Sequence, residues 1–215
     1  MASHCCVPVL VTTVLALLTF ALHSTEAQIG VCYGKNGNNL PSDQEVVNLY
    51  NSNGIGFMRL YAPDPLALEA LQDSGIKLLL GLPNDQLQKI ANDPSEANQW
   101  VEINVVPFAS FIHYIAVGNE VTQSDKQFVG PAMENIQNAI NAANLGGQIK
   151  VSTAIYSANI ANSYPPSNSV FDDTPFMTAI VNFLNSNESP LLVNIYPYMV
   201  ASPVSSGRFW KAAVV

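Results

Sequence analysis

Six apolar runs punctuate the chain, at Ile29–Tyr33, Gly56–Tyr61, Ile76–Leu82, Phe111–Val117, Ile149–Ile155 and Leu191–Tyr196. Stretches such as Lys77-Leu78-Leu79-Leu80 are apolar on both faces, as parallel strands sandwiched between helices must be. Helical periods fill the gaps. Ser42-Asp43-Gln44-Glu45 has the spacing of a capping box, followed by an apolar stripe of Val46, Leu49 and Tyr50 and a stop at Gly54. Gln127 to Leu145 carries Ile136, Ile140 and Ala143 on one face and runs into Gly146-Gly147; Asp173 to Asn185 repeats the pattern with Ile180, Phe183 and Leu184. Gly54-Ile55 and Gly75-Ile76, 21 residues apart, each close a helix and open a strand, a faint internal echo.

Alternating strands and helices predict an α/β fold, either a doubly wound sheet or a (β/α)8 TIM barrel. No Gly-x-Gly-x-x-Gly follows the first run, which reads Gly30-Val31-Cys32-Tyr33-Gly34, so the barrel is preferred. A barrel needs eight βα units in about 250 residues. This chain supplies only about six.

Residues 1–27 stand apart from that pattern. Cys5 to Leu22 is almost wholly apolar, and His23-Ser24-Thr25-Glu26-Ala27 turns polar and ends on a small residue. This is the layout of a secretory signal peptide cut after Ala27, although no Lys or Arg precedes the apolar stretch. A transmembrane anchor would need about 20 apolar residues and different flanks. The expected address is outside the cell or in its wall, with the vacuole as an alternative.

Without the leader, 188 residues remain, with a charge near −7, one cysteine (Cys32) and one histidine (His113). An internal disulfide and the usual His/Cys metal clusters are thereby excluded from the mature chain, and no cofactor or metal is expected. The whole chain's eight Lys+Arg against sixteen Asp+Glu lack the basic footprint that nucleic acid binding requires. Charged residues are only 11%, against roughly 25% in an average soluble domain. Twenty-two asparagines supply the missing polarity, a surface suited to a neutral, hydroxyl-rich ligand. The chain is expected to be a monomer without a membrane anchor, since Phe209–Val215 is too short for a lipid-anchor signal. Asn187-Glu188-Ser189 is the one glycosylation sequon, and Pro190 directly after it disfavours its use.

In α/β barrels the working residues gather where strands end. The fourth run ends Ile115-Ala116-Val117-Gly118-Asn119-Glu120. If a period of two persists, Ile112, Tyr114, Ala116, Gly118 and Glu120 share a face and Glu120 enters the barrel mouth. A carboxyl group walled there by apolar side chains could hold and donate a proton, and Asn119 could hold a substrate hydroxyl. Spacing alone leaves open that either residue merely caps the next segment. His113 falls on the opposite face, packed against a helix. Arg59, a charge within a strand, reads either as a solvated strand end or as an arginine orienting catalytic carboxylates. Tyr33, Tyr61, Tyr196 and Tyr198 lie at strand ends, where they could face sugar rings or fill the rim.

Five stretches make the pattern specific: Ile29-Gly30-Val31-Cys32-Tyr33-Gly34, Met58-Arg59-Leu60-Tyr61, Tyr114 to Glu120, Ile149-Lys150-Val151-Ser152-Thr153-Ala154 and Leu192-Val193-Asn194-Ile195-Tyr196-Pro197-Tyr198. Together they resemble the plant endo-1,3-β-glucanases of glycoside hydrolase family 17, over Gln28 to about Tyr198. The resemblance implies an incomplete barrel over 28–198 between the leader 1–27 and a divergent tail 199–215. It also implies retaining cleavage of 1,3-β-glucan, with Glu120 as general acid/base supported by Asn119.

A retaining glycosidase needs two carboxylates about 5–5.5 Å apart. The family's nucleophile belongs to the end of the seventh strand, in a stretch resembling Ser-Glu-Ser-Gly-Trp-Pro that does not occur here. No acidic residue follows Glu188, which precedes the sixth run at the wrong end of the barrel. The expectation is a family member cut short, without turnover, and with bare edges at strands one and six. Two alternatives stand beside it: a non-catalytic glucan-binding or decoy protein, and a splicing product that does not fold.

Overall fold

The computed structural model describes residues 29–161, 165–196 and 213–214. The leader and Tyr198 lie outside these residues. Six parallel strands succeed one another across the sheet in chain order: β1 (Gly30–Tyr33), β2 (Phe57–Leu60), β3 (Lys77–Leu82), β4 (Ile112–Asn119), β5 (Lys150–Tyr156) and, after two intervening short strands, β8 (Leu192–Asn194). The crossovers carry α1 (Asp43–Ser52), α2 (Pro65–Leu71), α3 (Leu87–Asn92), α4 (Pro94–Asn104), α5 (Lys126–Ala142) and α6 (Thr174–Ser186). The short strands β6 (Ile160–Ala161) and β7 (Val170–Phe171) form a separate antiparallel pair. This sheet, with helices on its outer face, is part of a (β/α)8 barrel wall. Among the described residues no helix is long and apolar enough to cross a membrane.

The edge expected to be bare at the sixth strand is covered. Strand β9 (Ala213–Val214) pairs antiparallel with β8, Val193 opposite Val214 and Asn194 opposite Ala213. The tail thus shields backbone groups that an open edge would leave to a foreign strand.

Side chains leave the sheet in two directions. Met58, Leu60, Leu78, Leu80, Ile115 and Val151 pack outward against Leu68, Ile90, Val101, Ile136 and Ile180 of the helices. Phe57, Leu79, Ala116, Ala154 and Leu192 form a smaller inner cluster, with Tyr114 against it. The simple alternation expected along β4 does not hold. Its register with β3 slips after Ile112, which sits in the outer cluster, and its register with β5 slips again between Ala116 and Asn119. Each slip adds one residue and reverses the parity of the residues beyond it. The first slip also changes the surroundings of His113: its ring meets Phe57 of the inner cluster edge-on, 6.2 Å between centroids, instead of packing against a helix.

The helix ends are set locally. Ser42 and Glu45 form the predicted capping box. Asp64, Asp93 and Asp173 cap α2, α4 and α6, each ahead of a proline in the first turn. Helix α5 stops at Ala142, before Gly146-Gly147, because Asn144 takes the left-handed turn (φ 60°). Tyr33 ties the first strand to the first helix: its ring is 9% exposed and its hydroxyl donates to Asp43 Oδ1 at 2.9 Å.

This packing can be tested at two points. A Cβ on Gly81 would stand 2.5 Å from the Tyr61 carbonyl oxygen and 2.8 Å from its Cα, backbone that cannot yield, whereas one on Gly56 would meet nothing within 4 Å. Chemical denaturation of Gly81→Ala is expected to show a loss of about 3 kcal/mol or more, and Gly56→Ala a change within about 0.5 kcal/mol. Burial, and then donation to Asp43, pushes the Tyr33 hydroxyl from 10.0 up to about 12. A group whose folded pKa is raised stabilises fully below its unfolded value, and that contribution fades as pH climbs toward the folded one. Between pH 10 and 12 the wild type should lose more stability than Tyr33→Phe, read as the shift of the urea midpoint with pH.

Candidate active site

At the end of β4 two residues adopt left-handed backbone, Gly118 at φ 77° and Glu120 at φ 49°. For Glu120 this conformation is uncommon and must be held by its surroundings. The holding groups are backbone-directed. Asn84, on the turn after β3, accepts from the Asn119 N–H at 2.7 Å and donates its Nδ2 to the Asn119 carbonyl at 2.9 Å. The Glu120 N–H donates to the Ala154 carbonyl at 2.8 Å. The slip that adds a residue here brings Asn119 opposite Ala154, a member of the inner cluster, and both Asn119 and Glu120 enter the barrel interior. Neither caps a helix, because α5 begins after Asp125 without a side-chain cap.

Arg59 projects from β2 into the same space, 3% exposed. Its Nη2 donates to Asn119 Oδ1 at 2.7 Å and its Nη1 to Asn194 Oδ1 at 2.8 Å. The guanidinium also lies over the Tyr61 ring, 4.7 Å from its centroid, and Nε has no hydrogen-bond partner among the described residues. Arg59 is thus not a solvated strand end, and it reaches the Glu120 carboxylate only through Asn194. The side chain is instead buried against two amide oxygens, because the inward strand ends of β4 and β8 carry asparagines where it points. Among the described residues it makes no ion pair.

Asn194, 6% exposed, joins these parts. Its Nδ2 donates to Asn119 Oδ1 at 2.9 Å and to Glu120 Oε1 at 2.7 Å. The Tyr196 hydroxyl donates to the same Glu120 oxygen, and its ring leans on Tyr156, 5.2 Å between centroids. The wall around Glu120 is therefore built of polar donors as well as rings, not of apolar side chains alone. Burial, then donation to Glu120, pushes the Tyr196 hydroxyl well above its ordinary value; burial, with Cys32 beside it, pushes Tyr61 up to about 12. Both tyrosines remain neutral hydrogen-bonding groups at any ordinary pH.

Beside Asn119 opens a cavity of about 580 Å³ whose walls include Cys32, Tyr33, Lys35, Tyr61 and Asp64. Lys35 spans its rim, 2.9 Å from Asp43 and 2.7 Å from Asp64. A smaller hollow of about 340 Å³ between the β2 and β3 ends and α4 contains none of the Glu120 network. The structure thus gathers Glu120, Asn119, Arg59, Tyr61 and Tyr196 at one centre. Tyr33 borders the cavity with its hydroxyl already committed to Asp43. Among the described residues, no three His, Cys, Asp or Glu side chains stand together as a metal site would need.

Sequence reasoning misses Asn194 and Asn84. Asn194 carries a readable signal, a polar residue two places after Leu192 inside an apolar run, on the face Leu192 buries. Asn84 lies on a surface turn and carries none. Chemically, the centre offers one carboxyl able to exchange a proton, amides directed by an arginine, and tyrosines at the edge of a polar cavity. These are the parts that hold and protonate a polyhydroxylated substrate.

The profile of the glycosyl hydrolases family 17 matches residues 29–208. The chain is 52% identical over 198 residues to a glucan endo-1,3-beta-glucosidase of Vitis vinifera, covering 86% of this chain and 58% of that protein. It is 50% identical to the acidic isoform GI9 of Nicotiana tabacum, covering 85% of this chain and 55% of that one. Among solved structures, a β-1,3-glucanase and allergen of Cryptomeria japonica pollen superposes with a TM-score of 0.77 at 43% identity, and a plant β-glucan endohydrolase with 0.78 at 42%. Each superposition covers 80% of this chain and 57% of the other. The chain spans a little over half the length of the relatives it matches. It belongs to the glycosyl hydrolases of family 17.

Proposed function

We propose that the site is one built for retaining endo-cleavage of 1,3-β-glucan, with Glu120 as its general acid/base. The observation that carries this reading is the half-buried Glu120 carboxyl, fixed by donors beside a cavity walled with tyrosines and amides. Asn119 supports it directly: its oxygen is taken by Arg59 and Asn194, so its NH2 group is the part left to meet a sugar hydroxyl. Tyr61 and Tyr196 offer ring faces to the sugar, and Tyr33 an edge. Residues 1–27 direct the chain into the secretory route, to the cell exterior or wall, with the vacuole as the other destination. It works there as a monomer.

Retaining hydrolysis also needs a nucleophile carboxylate. Among the described residues, Glu120 is the only carboxylate in its network. Asp43 and Asp64 answer Lys35, Asp173 answers Lys126, and Glu188 precedes β8 at the opposite end of the sheet. We therefore expect residues 28–215 to hold glucan without cutting it. The same lone carboxylate favours the second reading, a glucan-binding or decoy protein.

Two measurements on the purified chain test this. In affinity electrophoresis through a soluble 1,3-β-glucan its migration should be retarded, and a 1,4-β-glucan should retard it less. Equal migration in both gels would overturn the substrate class. Incubation with the 1,3-linked polymer should yield no new reducing ends; release that disappears in Glu120→Gln would show that a nucleophile is present after all.

A further inference from the structure

We infer that Asn194 is a positioning residue, which holds Glu120 by one oxygen and keeps the other, Oε2, for the transferable proton. The inference rests on the reading of Glu120 as the acid/base and concerns how that one carboxyl is aimed.

An asparagine amide has two donor hydrogens and one acceptor oxygen, and nothing in its shape tells one end from the other. Here the surroundings decide. Arg59 can only donate, and its Nη1 lies 2.8 Å from one end of the Asn194 amide, so that end is the oxygen. The NH2 end must then face Asn119 and Glu120, where it finds two acceptors at 2.9 and 2.7 Å. Every hydrogen-bonding capacity that Asn194 directs here is used, and the side chain is almost wholly buried. Arg59 also donates to the Asn119 oxygen, which fixes that second amide the same way round.

The consequence falls on Glu120. Asn194 and Tyr196 both donate to Oε1, and no described side chain donates to Oε2. Two donors at one oxygen favour negative charge there and leave no lone pair well placed for a proton, so the proton resides on Oε2. Arg59 does not touch Glu120. It acts on it through Asn194, and the left-handed backbone of Glu120 is the strained feature this bond helps to hold.

The test needs no turnover. In side-chain amide hydrogen-exchange spectra of the wild-type chain, the Asn194 NH2 should exchange at least about tenfold more slowly than the Asn119 NH2, since its hydrogens are bonded and buried. Equal rates would overturn the inference without any variant. Asn194→Asp keeps the shape but turns two donors into acceptors facing Glu120 Oε1 and Asn119 Oδ1. Arg59 gains a counter-charge that offsets part of the repulsion between the new carboxylate and Glu120, and circular dichroism checks that the variant is folded. The Asn119 amide should not reverse to meet the new carboxylate, because Arg59 still donates to its oxygen, so its NH2 should keep the wild-type exchange rate while Glu120 loses its Asn194 donor. Affinity for a 1,3-β-linked glucose hexamer should fall about tenfold, the worth of one well-placed hydrogen bond. Slowed Asn119 exchange, which would mean a reversed amide, or hexamer affinity within about twofold of wild type, would contradict the inference. If the wild type itself ignores the hexamer, the glucan reading fails, and the exchange rates still decide how the amides are held.

Discussion

A guanidinium buried with no carboxylate beside it among the described residues sets the terms for everything around it. Removing a charge from water costs several kcal/mol, and an isolated buried ion is tolerated only when dipoles answer it. Arg59 receives two amide oxygens and an aromatic face, and its Nε receives nothing from the described residues. Because the arginine has only donors, the two asparagines beside it have no choice of orientation. A single charged side chain in β2 therefore dictates hydrogen-bond polarity at the ends of β4 and β8, strands that stand 60 and 135 residues further along the chain.

The backbone is arranged to serve that centre. A parallel sheet brings the C-terminal ends of its strands to one rim. An ideal β4 would still have sent Asn119 outward. The added residue beside Gly118 reverses the parity, and the left-handed turn at Glu120 brings the next side chain in as well. Two consecutive residues of a strand end can then share one interior, which regular pleating forbids. Asn84 and the Ala154 carbonyl hold this irregular backbone, so that the site is supported by the loops and strands on either side of it.

Local patterns are legible in the sequence and long-range pairings are not. The capping box at Ser42 and Glu45, the apolar stripe of α5 and the six strands depend on neighbours within a few residues, and the sequence displays them directly. Alternation aims Glu120 inward, as the structure has it, but for a reason that does not hold: the alternation is broken twice on the way to it. The bulges have no signature beyond a glycine at 118, and they also account for the altered surroundings of His113. The amide partners of Arg59 depend on which residues the curved sheet sets opposite it, which no window of sequence contains. Asn194 is the one missed residue with a visible mark, a polar side chain interrupting an apolar run.

The orientation of the two amides is the claim on which the chemistry at Glu120 depends, and neutron diffraction from a deuterated crystal sees it directly. The expected map has both Asn194 deuterons directed at Asn119 Oδ1 and Glu120 Oε1, with oxygen at the Arg59 end of each asparagine. Deuterons on the Arg59 side of either amide, or a deuteron bound to Glu120 Oε1, would contradict it.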